Sequence, residues 1–330
     1  MGPPFGIRQL RVVRASSVLQ LARDIQPDVI MERYYNFGGE ALLAARQLGA
    51  FAVLEVNAPV VDYRGSLKQR LDRLMLFQPM RRWRDWQCRS ADLIVTPSAR
   101  ILPDHVPPAR VLQTEWGADT TLFHPAANGA VPFSRTDSDT TVIFIGAFRA
   151  WHGAIHLVEA IRQLRRRGRH DIRAVLIGDG PELSQVRRAS AGVEGITVTG
   201  SLPHDQIPAC LAAADVGVAP FDIPAHPSLA QEFYWSPLKI FEYMASGLPV
   251  VVPRIERLAH IVRDGLEGVL YDAADPTALA SAIERLASRD VRVRLGRAAR
   301  ERVVQEFSWQ RHCERLDQAI RAARGGASAA

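Results

Sequence analysis

Short apolar runs of strand length alternate with longer amphipathic segments along most of the chain. The predicted strands are Asp28–Met31, Phe51–Val56, Asp92–Val95, Arg110–Gln113, Thr141–Gly146, Arg173–Ile177, Ile196–Thr199, Val216–Ala219 and Pro249–Val252. The predicted helices between them include Glu40–Leu48, Ile155–Arg166, Pro181–Ala189 and Gln206–Ala213. Because parallel strands need a crossover of helix length, this order predicts an α/β protein with doubly wound parallel sheets.

A stretch rich in turn-forming residues interrupts this alternation. Residues 115–139, EWGADTTLFHPAANGAVPFSRTDSD, have neither helical nor strand periodicity, which is typical of a linker. We therefore predict a first domain over 1–119, joined by a basic helix in 308–330, and a second domain over 120–307. The chain has 330 residues, 47% of them hydrophobic, which is enough for two cores.

Composition restricts the compartment and the partners. Cys88, Cys210 and Cys313 are far apart and odd in number, so neither a disulfide framework nor a thiolate metal site is expected. No apolar run has the length of a membrane span, and the amino terminus lacks the apolar core of a signal peptide, so we expect a cytoplasmic protein. The net charge of +6 suits phosphorylated ligands or an anionic membrane face, and no motif indicates nucleic acid.

The segment SPLKIFEYMASGLPVVV, residues 236–252, places an acid among apolar residues. Ser236 is a good helix cap and Gly247 predicts a left-handed helix end. The inward face of the helix between them comprises Leu238, Phe241, Glu242 and Ala245. A buried carboxylate is costly without a partner, so Glu242 either pairs with Lys239 or caps a loop, or else it binds a ligand.

Four segments are predicted to meet at the carboxyl ends of the strands of the second domain, where ligands bind in such proteins. They are GAFRAWHG at 146–153, GDGPE at 178–182, APFDIPAHPS at 219–228 and the helix after Ser236. The two glycines Gly146 and Gly178 let the backbone come close to a ligand. GDGPE alone is better explained as a strand-to-helix turn.

The charged residues of these segments suit a nucleotide. Lys239 beside a helix start suits a diphosphate, and Glu242 suits the hydroxyl pair of a ribose. Arg149 offers a fixed charged fork for a phosphate, whereas His152 is either a phosphate ligand or a surface residue. The prediction of a nucleotide site rests on the coincidence of the four segments.

These segments resemble a known family. The carboxyl-terminal half resembles the nucleotide-binding domain of family 4 glycosyltransferases, which have the GT-B fold of two Rossmann-like domains facing a cleft. The resemblance rests on VIFIGAFRAWHGAIHLVEAI, AVLIGDGPE, ITVTGSLPHDQIPACLAAADVGVAPF, SPLKIFEYMASGLPVVV and IVRDGLEGVLYDAADPTALASAI, in chain order. EWGADTTLFHP resembles the interdomain linker, and PDVIMERYYNFGGEALLAARQLG and FAVLEVNAP resemble the acceptor domain.

The resemblance implies transfer of a sugar from a nucleotide-sugar to an acceptor hydroxyl with retention, without a cofactor or an essential metal. The acceptor is expected to be a glycan, a lipid-linked molecule or a small molecule. Glu242 matches the second acid of the family's paired-glutamate motif, which holds the donor ribose. The candidate catalytic residues are Asn57, Arg149 and Lys239. The candidate donor-binding residues are Gly146, Arg149, His152, Gly178, Tyr234, Ser236, Leu238, Lys239 and Glu242.

The donor half departs from the family's motifs at two places. The first acid of the paired motif falls at Tyr234, and Glu232 replaces it only if the segment is extended. The usual phosphate-binding Arg and Lys of the glycine loop fall at Ala147 and His152, so we expect Arg149 to take their place.

The acceptor half departs in two further ways. A histidine of the family falls at Asn57, which cannot act as a base near neutral pH. Family members also begin with a strand and a glycine-rich turn before the region that resembles residue 28 onward. That strand is normally central, so Phe51–Val56 or its neighbour should lack a pairing partner. We therefore expect an N-terminally shortened, incomplete domain, with an internal start or a second chain that completes the sheet.

Residues 66–92, SLKQRLDRLMLFQPMRRWRDWQCRSAD, mix arginine with apolar and aromatic residues. One interpretation is a peripheral surface that meets anionic lipid at the inner membrane face and brings a lipid-linked acceptor to the site. The other is that the apolar side packs on the sheet, which Pro79 favours by interrupting the stripe. Two rival functions thus stay open beside the enzyme: a non-catalytic nucleotide-sugar-binding relative and a peripheral membrane module.

Overall fold

The computed structural model describes residues 14–61, 67–75, 77–136, 138–226 and 233–327. The chain folds as two compact units. Unit 1 comprises Met1–Glu115, Tyr234–Ser236 and His312–Ala330, and unit 2 comprises Trp116–Phe233 and Pro237–Arg311. Within the described ranges, no helix combines the length and the hydropathy needed to cross a bilayer.

Unit 1 contains a four-stranded parallel sheet in the order β1-β2-β3-β4. Its strands are β1 (Val29–Arg33), β2 (Phe51–Glu55), β3 (Leu93–Thr96) and β4 (Val111–Gln113). Its helices are α1 (Ala15–Ile25), α2 (Glu40–Leu48), α3 (Leu67–Leu74), α4 (Pro79–Ser90) and, from His312 onward, α12 (Trp309–Ala327). Spatial order follows chain order, so the order of the described strands does not reverse.

The carboxyl-terminal helix supplies one face of the core of unit 1. Val53, Leu93 and Val95 are buried in the sheet, and Leu316 and Ile320 of α12 pack against them. All four residues of β3 are buried, which explains its continuous apolar sequence.

β1 is the outermost strand of this sheet in the described part of the chain. β2 pairs with β1 and with β3, so the open edge expected from the sequence falls on β1, the neighbour of residues 51–56. Three apolar side chains stay exposed on β1 and α1: Met31 (44%), Leu21 (58%) and Ile25 (63%).

Unit 2 contains a six-stranded parallel sheet in the order β10-β9-β8-β5-β6-β7. Its strands are β5 (Thr140–Ile145), β6 (Ile172–Ile177), β7 (Ile196–Gly200), β8 (Val216–Val218), β9 (Val250–Pro253) and β10 (Gly268–Tyr271). Its helices are α5 (Ala154–Arg166), α6 (Leu183–Ser190), α7 (Ile207–Ala212), α8 (Leu238–Ala245), α9 (Glu256–Ile261), α10 (Ala278–Glu284) and α11 (Arg289–Glu306). The strand order reverses between β5 and β8, as in a Rossmann fold.

The sequence predicts nine of the ten strands found in the described ranges, each with its ends within two residues of those observed. The strand it does not predict is β10, whose four residues begin with Gly268. A Cβ on Gly268 would lie 2.0 Å from the carbonyl oxygen of Val250 in β9. Packing against β9 therefore requires the glycine, although glycine lowers the strand propensity of the segment.

Helix α8 begins one residue later than predicted, and Ser236 does not cap it. Pro237 occupies the cap position without a side-chain hydrogen bond. The hydroxyl of Ser236 instead donates to the carboxylate of Glu115 at 2.8 Å. The cap predicted at Ser236 is therefore wrong, because an acid distant in sequence takes its hydroxyl.

The guanidinium of Arg300 in α11 joins the linker to the carboxyl end of α8. Its Nη1 donates to the carbonyl oxygens of Ala245 at 2.6 Å and Phe123 at 2.7 Å, and its Nη2 donates to that of Thr120 at 2.9 Å. We call this arrangement the Arg300 clamp. It satisfies a carbonyl that the end of a helix leaves without a partner.

Arg300→Met should lower the free energy of unfolding by about 2–3 kcal/mol, because three carbonyl groups lose a charged donor. Urea denaturation measures this loss. The control is Arg297→Met on the same helix, where the side chain of Arg297 is 82% exposed and its guanidinium pairs with Glu301. That variant should change stability by less than about 0.5 kcal/mol. Equal effects of the two variants would contradict the clamp.

Candidate functional site

The candidate site of unit 2 lies where the strand order reverses. The loop after β5 begins at Gly146, and the loop after β8 contains Phe221, so both leave the carboxyl ends of adjacent strands. Helix α8, which carries Lys239 and Glu242, returns to the same edge. Ligands of open α/β sheets bind at such a reversal.

Glycines join the loops after β5 and β6. The N–H of Phe148 donates to the carbonyl oxygen of Asp179 at 2.8 Å, and the N–H of Glu182 donates to that of Phe148 at 2.9 Å. A Cβ on Gly178, whose φ is +142°, would lie 1.9 Å from the carbonyl oxygen of Gly146. The contact made by Gly178 is therefore one of loop packing, and its predicted part in donor binding stays a prediction.

Lys239 points its ammonium group into the protein. Its Nζ is buried and, among the described residues, has no hydrogen-bond partner. It lies 4.5 Å from the ring centre of Phe144 and 5.3 Å from that of Phe221. It also lies 2.7 Å from the position that a Cβ on Gly146 would take. Burial lowers the pKa of Lys239 to about 7, an effect that Glu242 partly opposes.

Glu242 is half-buried one turn after Lys239. Burial raises its pKa to about 7, and the charge of Lys239 acts in the opposite direction. A different acid of the same unit, Glu267, illustrates an architectural carboxylate: it is fully buried and bonds to Arg263 and lies beside Arg302. Glu242 has no such arginine shell among the described residues, which distinguishes the two acids.

His152 is buried and uncharged at neutral pH. Burial, with the charges of Lys239 and Arg149, lowers its pKa to about 3. Its Nδ1 contacts the carbonyl oxygen of Ala147, and its ring packs edge-on against Trp151. The prediction of a surface histidine is therefore wrong. Contact of His152 with a donor stays a prediction, and it would be that of a neutral imidazole.

Arg149 stands exposed at the start of the short 3₁₀ turn Ala150–His152. No ion pair of its guanidinium occurs within the described residues. It is close enough to lower the pKa of His152 and of His226. Arg149 thus places an exposed positive charge on the loop that follows β5, the strand whose Phe144 contacts the buried ammonium of Lys239.

The remaining predicted donor-binding residues do not all gather at this edge. Ser236 and Tyr234 are buried and belong to unit 1, with the ring of Tyr234 5.0 Å from that of Trp235. Leu238 is 37% exposed at the start of α8, so its predicted place on the inward face is wrong. Glu232, the suggested substitute acid, lies outside the described residues.

Asn57 in unit 1 follows β2 and is engaged by Arg33 at the end of β1. With its amide oriented to satisfy both groups, the side-chain oxygen accepts from the Nη2 and the Nε of Arg33. The amide NH₂ is then the part of Asn57 that can reach another molecule.

Three aromatic residues that the sequence did not indicate support the site. Phe144 and Phe221 flank the ammonium of Lys239, and Tyr243 fixes α8 to β5, since its hydroxyl accepts from the N–H of Ile145 at 2.8 Å. Tyr243 also fills the space beside Gly217, where a Cβ would lie 2.5 Å from its ring. Phe144 stands two residues before the loop glycine Gly146, and this FIG pattern is the one signal available for it.

Comparison with solved structures defines the fold class. The crystal structure of Anabaena Alr3699/HepE in complex with UDP aligns with a TM-score of 0.65 and 18% identity, over 92% of this chain and 82% of that one. Two Rossmann-like units, one of four parallel strands and one of six, belong to the same architecture. The chain therefore has the GT-B fold.

Comparison of sequences then defines the family of the domain that carries the site. Residues 139–289 match the family "Glycosyl transferases group 1". The MMP alpha-(1->4)-mannosyltransferase of Mycolicibacterium hassiacum is 30% identical over 82% of this chain and 65% of its own length. The GDP-mannose-dependent alpha-mannosyltransferase of Corynebacterium glutamicum is 26% identical over 78% of this chain and 59% of its own. Residues 139–289 are a group 1 glycosyltransferase domain, in a chain that spans less than two thirds of these relatives.

Gly178→Ala should lower the free energy of unfolding by about 2–4 kcal/mol, since the new methyl group meets a backbone oxygen in a strained conformation. The matched control is Gly192→Ala, at a φ of +74° with open space around it. There the cost should be about 1 kcal/mol from backbone strain alone. Urea denaturation compares the two, and similar losses would refute the packing of the loops.

Proposed function

We propose that the chain transfers a sugar from a nucleotide-sugar donor to an acceptor hydroxyl with retention, as a family 4 glycosyltransferase. The observation that carries this proposal is the buried ammonium of Lys239. Among the described residues it has no hydrogen-bond partner, and it lies where the strand order reverses. An ammonium group in that state is costly unless an anion uses it.

A diphosphate is the anion that the surroundings suit. Because Gly146 has no side chain, the ammonium of Lys239 lies directly against the backbone there, and a phosphate bound at this edge would meet both groups. Arg149, in the same loop as Gly146, adds a second positive charge. These two groups would stabilise the negative charge that develops on the departing diphosphate. They can do so without a metal, and metal independence is part of the proposal.

Glu242 is proposed to bind the donor ribose. Its carboxylate is one helical turn from Lys239, so a diphosphate at Lys239 would bring the adjoining pentose within reach. A ribose offers two hydroxyl donors, which supply the hydrogen bonds that a half-buried carboxylate needs. The names of the relatives support a nucleotide-sugar donor, since one depends on GDP-mannose and one solved neighbour holds UDP.

The acceptor is proposed to bind in unit 1. A cavity of about 420 Å³ lies there among the loops that follow β2 and β3 and the helices α3 and α4. Its lining includes Val60, Arg84, Asp104 and His105, a polar mixture that suits a hydroxylated acceptor. Asn57, with its oxygen held by Arg33, would present its NH₂ group to an acceptor oxygen.

The reducing cytoplasm is the proposed compartment. Cys88 and Cys210 are free and buried, and Cys313 is free and exposed. Unpaired thiols of this kind are usual in a reducing compartment.

Lys239→Met should weaken binding of GDP or UDP at least tenfold, because it removes the charge that faces the diphosphate. Isothermal titration calorimetry on the full chain measures the dissociation constants. Glu242→Gln should weaken the binding of nucleoside diphosphate but not the binding of inorganic pyrophosphate. The control is Glu256→Gln, at an exposed acid of the same unit. If Lys239→Met binds nucleotide as tightly as the wild-type chain does, the proposed site is wrong.

Slow hydrolysis of a nucleotide-sugar separates the enzyme from a non-catalytic relative. The wild-type chain should release nucleoside diphosphate from a bound sugar nucleotide, and the sugar first released should have the same anomeric configuration as in the donor. Binding without any turnover, with or without added metal, would favour the non-catalytic alternative.

Nucleotide affinity should fall as the pH rises from 7 to 9. The pKa of Lys239 in the free protein is about 7, so above that pH the ammonium loses its proton, and binding must restore it. The terminal phosphate titrates near pH 6, below this range. Lys239→Arg, whose guanidinium stays charged, should show a flat profile over the same range. A parallel fall in both proteins would exclude Lys239 as the titrating group.

A further inference from the structure

The α3–α4 hairpin of unit 1, residues 67–90, exposes apolar side chains where its helices join. Leu74 is 81% exposed, Phe77 71%, Met75 54% and Leu71 39%. We call these four residues the apolar tip. Packing of the apolar side on the sheet, the interpretation favoured by the sequence, is therefore wrong for these residues.

An inward-facing acid explains the orientation of α3. Asp72 is 3% exposed, and its two carboxylate oxygens accept from the N–H groups of Met80 and Arg81 at 3.0 Å each. The carboxylate thus satisfies the amide end of α4, which favours negative charge. Because Asp72 faces α4, Leu71 and Leu74 on the other side of α3 face solvent.

Contacts of α4 with the rest of unit 1 hold the hairpin in place. The indole N–H of Trp83 donates to the carbonyl oxygen of Gly38 at 2.9 Å, and Nη1 of Arg84 donates to that of Val60 at 2.8 Å. Trp86 fills the space beside Gly39, where a Cβ would lie 2.6 Å from its ring. The apolar tip therefore projects from an anchored element.

Arginines surround the apolar tip. Arg70 and Arg73 on α3 and Arg81 and Arg82 on α4 are exposed, and the guanidinium of Arg82 lies 5.9 Å from the ring centre of Phe77. Residues 67–90 contain six arginines and two aspartates, and one of those acids caps α4. The exposed charge around the tip is thus strongly positive.

An apolar cavity opens beside the tip. It has a volume of about 360 Å³ and is lined by Phe37, Met75, Pro79, Met80 and Trp83. This lining offers almost no polar group, so the cavity suits a hydrocarbon chain rather than a sugar.

We propose that the α3–α4 hairpin binds the surface of an anionic phospholipid bilayer. The apolar tip enters the boundary between headgroups and acyl chains, and the surrounding arginines pair with lipid phosphates. Stable interfacial binding needs an apolar and an electrostatic contribution together, and the hairpin has both. This inference does not depend on the proposed function, since vesicle binding requires neither donor nor turnover.

Co-sedimentation of the full chain with vesicles tests the proposal. One vesicle set contains phosphatidylcholine alone, and the other contains phosphatidylcholine and phosphatidylglycerol at 7:3. The chain should sediment with the anionic vesicles at 0.05 M NaCl, much less at 0.5 M NaCl, and little with neutral vesicles.

Two double variants separate the contributions. Arg70→Gln with Arg82→Gln should weaken binding to anionic vesicles about 25-fold, at about fivefold for each charge. Leu74→Ser with Phe77→Ser should weaken vesicle binding at least tenfold and leave the salt dependence of the remaining binding unchanged. Unchanged thermal unfolding of each variant shows that the fold is retained.

Matched controls come from unit 2. Val293 (63% exposed) and Leu266 (48% exposed) become serine in one control, and the exposed Arg187 and Arg188 of α6 become glutamine in the other. Neither should alter vesicle binding. The proposal is overturned if the wild-type chain does not sediment with anionic vesicles, or if the tip variants and the controls bind vesicles equally. It is also overturned if sedimentation velocity shows a concentration-dependent dimer that the tip variants abolish, while no variant or wild-type chain binds vesicles.

Discussion

A lysine ammonium held among aromatic rings is the interaction around which the donor half is organised. Lys239 faces Phe144 and Phe221, whose ring faces compensate in part for the water it has lost. Hydrogen bonds that would complete the compensation are missing within the described residues. The folded protein thus keeps an incompletely satisfied positive charge at the strand-order reversal, which is a state suited to an anionic ligand.

The position of Lys239 is set by backbone geometry more than by side-chain pairing. Six parallel strands bring the loops after β5 and β8 to one edge, and the tyrosine hydroxyl of Tyr243 ties α8 to the end of β5. Glycines at 146 and 178 allow two loops to touch without side chains between them. Substitution of either glycine would therefore act first by displacing the loops.

Sequence reasoning recovers the features that depend on local pattern. The nine strands, the parallel α/β class and the position of Lys239 and Glu242 on one helix follow from periodicity and turn residues. Features that depend on distant partners are not recovered: the bond of Ser236 to Glu115, the neutral His152 and the rings beside Lys239. The outward orientation of α3 is missed for the same reason, since one buried acid, Asp72, overrides its apolar stripe.

The Arg300 clamp has a mechanical consequence. The guanidinium of Arg300 donates to carbonyl oxygens of Thr120 and Phe123 in the linker and of Ala245 in the last turn of α8. The first turn of the same helix carries Lys239. An eight-residue helix is stiff over its length of about 12 Å, so it transmits displacement from one end to the other. Strain applied to the backbone near residue 120 would therefore reach the turn of α8 that carries Lys239 and change its affinity for an anion.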